Sequence, residues 1–369
     1  NSKLKTQNWA GWRGSAVPYA DGVSATCHAP CRQCGWFPVT RTVEVPSGVF
    51  QLRDYRPDDE ADVLELWKIA FGKELPLEMW RWKYVENPFG SRILMCLDEN
   101  GDKPVVVYGG VPYRTSWNGR VVRAVQLMDI MSHPDYRKTG LFVKTGIAFC
   151  DQFIEEADAA LVYGFPGRYH FDIGRKYLRY AEIPSGVGWF SGQLKSIARA
   201  RGFLGGRVEA VPEASRDFDG LWESVRDSYP LAVIRDAAFI GWRFSTHPLR
   251  KYTVFTYRAG ITRRLRGYAV VGDDDGMARI VDCLVPEDPR GAVDFLGQLA
   301  GDLEELGFDR LETWLPTSHF AAQAAVDAGL RPGPEPLGII PTMVDFNKDP
   351  TTNWVSDNLY YTMADADLM

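Results

Sequence analysis

Residues 133–142 read His133-Pro134-Asp135-Tyr136-Arg137-Lys138-Thr139-Gly140-Leu141-Phe142, and the fold turns on this stretch. The run before it, 124–131, alternates apolar residues and predicts a strand. After it, Val143, Ile147, Cys150 and Ile154 recur at helical spacing, which puts a helix start at Gly140 or Leu141. A strand that passes through a basic, glycine-containing loop into a helix is an anion site. The first-turn N–H groups have no carbonyl partner there, and the helix dipole is positive at that end.

Upstream, 49–55 predicts a strand, Arg56-Pro57-Asp58-Asp59 a turn and helix start, and 61–71 an amphipathic helix. The aromatic segment Leu77-Glu78-Met79-Trp80-Arg81-Trp82-Lys83-Tyr84 follows. Residues 91–97 and 103–111 predict a hairpin across Asp98-Glu99-Asn100-Gly101, and 113–117 pairs with 121–131 across Asn118-Gly119. Downstream, 159–165 predicts a strand ending at Pro166, and 171–178 a helix.

Within that order, Pro-x-x-Arg-x-x-Gly-x-x at the head of a helix resembles the coenzyme A pyrophosphate loop of the GNAT superfamily of N-acyltransferases. The resemblance covers 50–183. It implies that the two phosphates are bound by Arg137, Lys138, Thr139, Gly140, Leu141 and Phe142, although the commonest form has Gly or Ala where Phe142 stands. It also implies that the strands carrying Asp129 and Tyr163 splay apart around the pantetheine arm. Backbone N–H groups of Ile130, Met131 and Ser132 then face the thioester carbonyl, with acetyl-coenzyme A as co-substrate.

The pattern recurs in the second half. Leu221-Trp222 echoes Leu66-Trp67, and Gly241-Trp242-Arg243-Phe244 echoes Met79-Trp80-Arg81-Trp82. Asp282 before Pro286 echoes Asp129 before Pro134, and Leu311-Glu312-Thr313-Trp314-Leu315-Pro316 echoes Leu161-Val162-Tyr163-Gly164-Phe165-Pro166. The expected fold is therefore an α/β (mixed α+β) tandem of GNAT-like acyltransferase domains, each a mostly antiparallel splayed sheet flanked by helices. The expected divisions are an irregular leader at 1–47, a coenzyme A-binding domain at 48–185, a degenerate domain at 207–346 and a tail at 347–369. Pro286-Glu287-Asp288-Pro289-Arg290-Gly291 is acidic and proline-interrupted, a poor phosphate cradle. The tail reads as a final strand or a strap across the halves, and its closing acidic residues as facing the substrate or as a solvated terminus.

The 369 residues suit two domains, and 45% hydrophobic with 24% charged residues is a globular balance. A net charge of -6 gives no basic field for nucleic acid. No apolar run nears the roughly 20 residues of a membrane span. The N-terminal segment lacks a signal-peptide core, so a cytoplasmic protein is expected. Cys96, Cys150 and Cys283 read as buried small hydrophobes. Cys27, Cys31 and Cys34 have a spacing that resembles the iron–sulfur triad of radical S-adenosylmethionine enzymes, and with His28 would also suit zinc. No strand–helix series follows before Phe50, so the reading is an irregular leader without metal.

Acyl transfer needs a proton taken from the amine, donors for the oxyanion and stabilisation of the thiolate. Asp129 is the candidate base, directly or through water, with strand-holding as its other reading because Asp282 occupies the equivalent place. Many members of the family place a tyrosine near position 175. Tyr177 and Tyr180 are offset from it, which leaves Tyr169 and His170 as candidates for the acid. The Trp-Arg-Trp segment lines an acceptor pocket or packs in the core. The expected activity is acyl-coenzyme A-dependent transfer, acetyl by default, to a primary amine of a small molecule. An aminoacyl-transfer-RNA-dependent peptidyl transferase and a non-catalytic scaffold on the same fold are the alternatives.

Overall fold

The computed structural model describes residues 40–156, 159–198, 202, 205–346 and 349–366. Cys27, Cys31 and Cys34 lie outside them. Thr40–Val45 (β1) and Gly48–Asp54 (β2) form a hairpin, so regular structure begins inside the stretch expected to be irregular leader. Helix α1 (Glu60–Phe71) stops at Gly72, whose φ of 71° ends it in the left-handed region that glycine adopts without a Cβ clash. Helix α2 (Leu77–Tyr84) is the aromatic segment. Strands β3 (Arg92–Leu97), β4 (Pro104–Trp117) and β5 (Arg120–Ser132) run antiparallel, with Asn118-Gly119 at the last turn. Helix α3 (Leu141–Glu156) crosses to β6 (Ala159–Gly164), parallel to β5, and α4 (Arg168–Tyr177) leads to β7 (Tyr180–Glu182).

The sequence reads β4 as two pieces broken at Pro112. It is one strand because β3 covers it only as far as Gly110 and a later strand, Leu231–Val233, joins at Thr115. Pro112 falls between those partners, where that edge asks for no N–H.

The second half repeats the plan. After β8 (Gly188–Gln193), in the segment between the two expected domains, it comprises β9 (Arg207–Val211), α5 (Asp217–Val225), β10 (Leu231–Val233), α6 (Ala237–Ile240) and a π-turn at Gly241–Ser245. Strands β11 (Tyr252–Ala259), β12 (Arg264–Asp274) and β13 (Met277–Leu284) follow, then α7 (Pro289–Glu305) and β14 (Arg310–Leu315). Helix α8 (Phe320–Ala328), β15 (Arg331–Gly333), β16 (Thr342–Val344), α9 (Thr352–Asn358) and β17 (Leu359–Tyr360) complete it. The first sheet runs β1-β2-β3-β4-β5-β6-β16-β7, and the second runs β15-β8-β14-β13-β12-β11-β9.

Besides β10, which pairs with β4 and brings β17 into the first sheet, two strands are inserted across the halves. β16, from the second half, lies antiparallel between β6 and β7. β8, from the segment read as a linker, lies antiparallel between β14 and β15. Each sheet thus holds, beside its last strand, a strand from outside its own expected domain, and cuts at 185 and 207 would separate strands from their sheets. The halves also share a core at α2 and the π-turn. Trp82 and Trp242 stack at 4.8 Å, and each indole N–H donates to the other residue's carbonyl at 3.2 Å. That reciprocity explains why the Trp-Arg motif recurs: it packs the two halves together.

Of the readings offered for the tail, the solvated terminus does not hold through residue 366. Tyr360, Tyr361, Thr362 and Asp365 are all buried. Cys96, Cys150 and Cys283 are buried free thiols. Among the described residues no helix is long and apolar enough to cross a membrane.

Candidate functional site

β5 and β6 pair from Arg123/Ala159 to Gln126/Tyr163 and no further. Beyond that point β5 continues to Ser132 while β6 ends at Gly164, so the strands part. A bulge then turns the β5 backbone: the β4–β5 register slips between Val107 and Gly109, and Asp129 sits at φ 48°. Gly109 faces this bulge, and a Cβ there would lie 2.6 Å from Tyr84 Oη and 2.9 Å from the Met128 carbonyl. The Asp129 carboxylate accepts from Lys83 Nζ and from the Tyr84 hydroxyl, each at 2.8 Å. Both side chains of the ion pair are almost wholly buried, at 5% and 3% exposure. The pair fixes the bulge, and with it the backbone N–H groups that follow.

A cleft of ≈450 Å³ opens where the strands part. Its walls include Gln126–Ile130 of β5, Tyr163 and Gly164 of β6 and the inserted strand β16. α1 and the loop after it add Trp67, Phe71 and Lys73, and the second half adds His247, Leu249 and Arg250. Of the three residues expected to present N–H groups, Ile130 lines the cleft. Met131 and Ser132 have buried side chains and pair with β4.

The loop 133–142 enters α3 as the sequence predicts. Lys138 (φ 70°) and Gly140 (φ 95°) both take left-handed conformations, and Gly140 reaches its value as only glycine does cheaply. Thr139 Oγ1 donates to the Tyr136 carbonyl at 2.7 Å and accepts from Leu141 N–H at 3.3 Å. The helical ladder begins with Lys144 N–H on the Gly140 carbonyl, so the N–H groups of Phe142 and Val143 precede it. Arg137 and Lys138 are exposed. Leu141 is buried and anchors the turn. Phe142 turns inward, its ring 5.2 Å from Tyr108 and 5.5 Å from His170, so its bulk does not cover the loop.

The two acid candidates separate. Tyr169 is 79% exposed, on the outward face of the first turn of α4, and does not line the cleft. One residue on, about 100° around the helix, His170 turns inward and does. Burial lowers the His170 imidazole to about 4, so it is neutral across the physiological range. Its ring stacks on Tyr180 at 5.8 Å, and Nε2 lies 3.5 Å from the Tyr180 hydroxyl. Tyr180, offset from the family position in sequence, lines the cleft from β7, and burial raises its phenol well above the ordinary value. Tyr180 lies beyond the end of α4, on β7, so helical spacing alone could not bring it to the cleft.

The equivalent places in the second half are filled. Asp288 caps α7, accepting from Gly291 N–H at 2.6 Å, so a carboxylate of the chain sits where a phosphate would bind. β13 and β14 part after Ile280/Thr313, and the tail occupies the gap. There Arg235 pairs with Asp282 at 3.2 Å and with Asp365, while Thr362 Oγ1 donates to Asp282 at 2.7 Å.

Residues 51–177 match the sequence model of the acetyltransferase (GNAT) domain. No curated protein matches the chain. Among solved structures, a GCN5-related N-acetyltransferase from Anabaena variabilis is similar at 14% identity, with 80% of this chain and 72% of that one covered and a TM-score of 0.63. One from Kribbella flavida is similar at 15% identity, covering 80% and 70%, with a TM-score of 0.60. Saccharomyces cerevisiae N-myristoyltransferase with bound myristoyl-CoA is similar at 11% identity, covering 82% and 84%, with a TM-score of 0.53. At these identities the likeness is one of fold.

Proposed function

From a chain that carries a GNAT acetyltransferase domain at residues 51–177, we propose that it transfers an acyl group from a coenzyme A thioester to the primary amine of a small molecule. The observation that carries this is the conjunction of a glycine-permitted loop at the head of α3 with the parting of β5 and β6 beside it. Arg137, Lys138 and the N–H groups of the Gly140–Phe142 turn suit the two phosphates. The unpaired edge of β5 suits the amide-rich pantetheine arm, and the Ile130 segment suits the thioester carbonyl. A short acyl group, acetyl by default, fits a cleft of ≈450 Å³ that must also admit the acceptor. The intact loop favours a thioester donor over a charged transfer RNA. The cytoplasm is the proposed setting, and no nucleic acid or membrane partner belongs to the reading.

The reaction forms a C–N bond, breaks a C–S bond and moves one proton from nitrogen to sulfur. We assign Tyr180 the hydrogen bond to the departing thiolate, a role supported by its place in the cleft wall and by neutral His170 beside it. Asp129 acts as a positioning residue, since its carboxylate already serves Lys83 and Tyr84. Tyr180→Phe is expected to lower kcat by roughly 10- to 100-fold with the acyl-coenzyme A KM little changed. An unchanged kcat would remove Tyr180 from the mechanism.

The pH dependence has a definite sign. A His170 lowered to about 4 is already neutral at pH 5, so activity should rise with pH only as the acceptor amine deprotonates. An enzyme inflection between pH 5 and 7 that disappears in His170→Gln would contradict this. Asp129→Asn keeps a residue that tolerates positive φ and should lower kcat by about tenfold without altering the shape of the profile. Loss of the low-pH fall in activity in that variant would restore Asp129 as the base. Release of free thiol from acetyl-coenzyme A, measured across an amine panel, tests the activity itself.

A further inference from the structure

The cleft carries a charge imbalance that the transfer chemistry does not use. Its charged wall residues are Lys73, Lys83, Asp129 and Arg250. Lys83 and Asp129 neutralise each other at 2.8 Å. Lys73 and Arg250 are exposed, and among the described residues neither has a carboxylate within ion-pair distance. They come from different halves, Lys73 from the loop after α1 and Arg250 from the loop before β11, yet they face one cavity. The cleft therefore offers two positive side chains with no fixed counter-charge.

Two further wall residues of the cleft, both buried, carry polar atoms without partners. Gln126 and Tyr163, adjacent across β5 and β6, are 1% and 2% exposed. Neither Gln126 Oε1 nor Tyr163 Oη makes a hydrogen bond. Such atoms are costly to bury unless something pairs with them, and a side-chain amide oxygen can only accept. An amine N–H is the complementary group. We infer that the acceptor is an amine that also carries an anionic group, a carboxylate or a phosphate, with its nitrogen toward Gln126 and Tyr163 and its negative end between Lys73 and Arg250.

The donor's own phosphates are the rival claim on these cations. The loop that suits them, 137–142, does not line the cleft. Arg137 does reach the Ala70 carbonyl, at 3.4 Å, which brings the loop near Lys73. Arg250, contributed by the second half, is therefore the discriminating residue.

The inference rests on the acyltransferase reading for its choice of an amine, and its test needs no turnover. Calorimetry would compare L-lysine with cadaverine, L-tyrosine with tyramine, and glucosamine 6-phosphate with glucosamine, against wild type, Lys73→Ala and Arg250→Ala. Wild type should prefer the anionic member of at least one pair by about tenfold or more, and Arg250→Ala should cut that preference to within about threefold. The pair that responds tells carboxylate from phosphate. Acetyl-coenzyme A affinity, titrated separately, should be unchanged in Arg250→Ala. No preference in any pair overturns the inference, and so does a variant that weakens acetyl-coenzyme A binding while keeping the preference. A retained preference in a protein that neither binds nor turns over acyl-coenzyme A would overturn the acyltransferase reading alone.

Discussion

Gly140→Asp should abolish acyl-coenzyme A binding and lower kcat/KM by about 1000-fold or more while leaving the protein folded. Position 140 precedes the first residue of α3 and sits at φ 95°. An L side chain there costs on the order of 1–2 kcal/mol of backbone strain. An aspartate at a helix N-cap recovers part of that, because its carboxylate accepts a first-turn N–H and meets the positive end of the dipole. Space is not limiting, since a Cβ at 140 would meet only Val45 Cγ1, at 3.6 Å. The same features that spare the fold destroy the site: the new carboxylate takes the N–H groups and repels a pyrophosphate. The second half already shows this arrangement, with Asp288 capping α7. Titration of acetyl-coenzyme A into both proteins, with thermal unfolding as a control, is the check. Retained micromolar binding in a folded variant would move the donor site elsewhere. Gly140→Ala, which adds strain without charge, should fall between the two.

What the sequence made legible was local. The stretch 133–142 could be read because a positive-φ glycine, a basic turn and a helix start lie within ten residues. The parting of β5 and β6 followed from the resemblance, and the register bears it out. The internal echoes were legible because equivalent elements bury equivalent faces, as the Trp82–Trp242 stack shows. Strand insertion was not, since β16 is three residues long and its pairing leaves no periodicity. Tyr169 and His170 could not be ranked without the phase of α4, which decides solvent or cleft by a single residue. Lys83 was hidden inside an aromatic segment whose pattern suggested packing, and only the bulge across from it shows why a buried ammonium is there. Gln126 and Arg250 carry no motif at all.

Arg235→Met should destabilise the protein by about 3–5 kcal/mol at neutral pH, a fall in Tm on the order of 10 °C. Arg235 is fully buried, and its guanidinium donates to Asp282 at 3.2 Å, to the Val233 carbonyl at 2.8 Å and to Asp365. Asp282 also accepts from Tyr268 and Thr362, and Asp365 accepts from Thr362 N–H at 2.8 Å. Methionine fills much of the volume, so the chief loss is charge, and two buried carboxylates are left facing each other. Burial already holds the Asp365 carboxyl above its usual range even with Arg235 beside it, and removing the cation raises it further. A carboxyl whose folded pKa is raised binds its proton more tightly in the native state. Its stabilising contribution is complete below the unfolded value, near 4, and is lost as pH rises through the folded one. The deficit of the variant against wild type should therefore be full at pH 7.5 and shrink toward pH 4, as read by urea unfolding. A pH-independent deficit, or one below about 1 kcal/mol, would show that the cluster does not hold the tail. The triple variant Arg235→Met, Asp282→Asn, Asp365→Asn should recover most of the stability, because neutral groups of similar shape leave no buried charge unpaired. Asp282 corresponds to Asp129, yet the two carboxylates meet different cations: Lys83 beside an open cleft, and Arg235 beneath a buried tail. Equivalent positions thus fix a bulge at a site in the first half and seal the corresponding gap in the second.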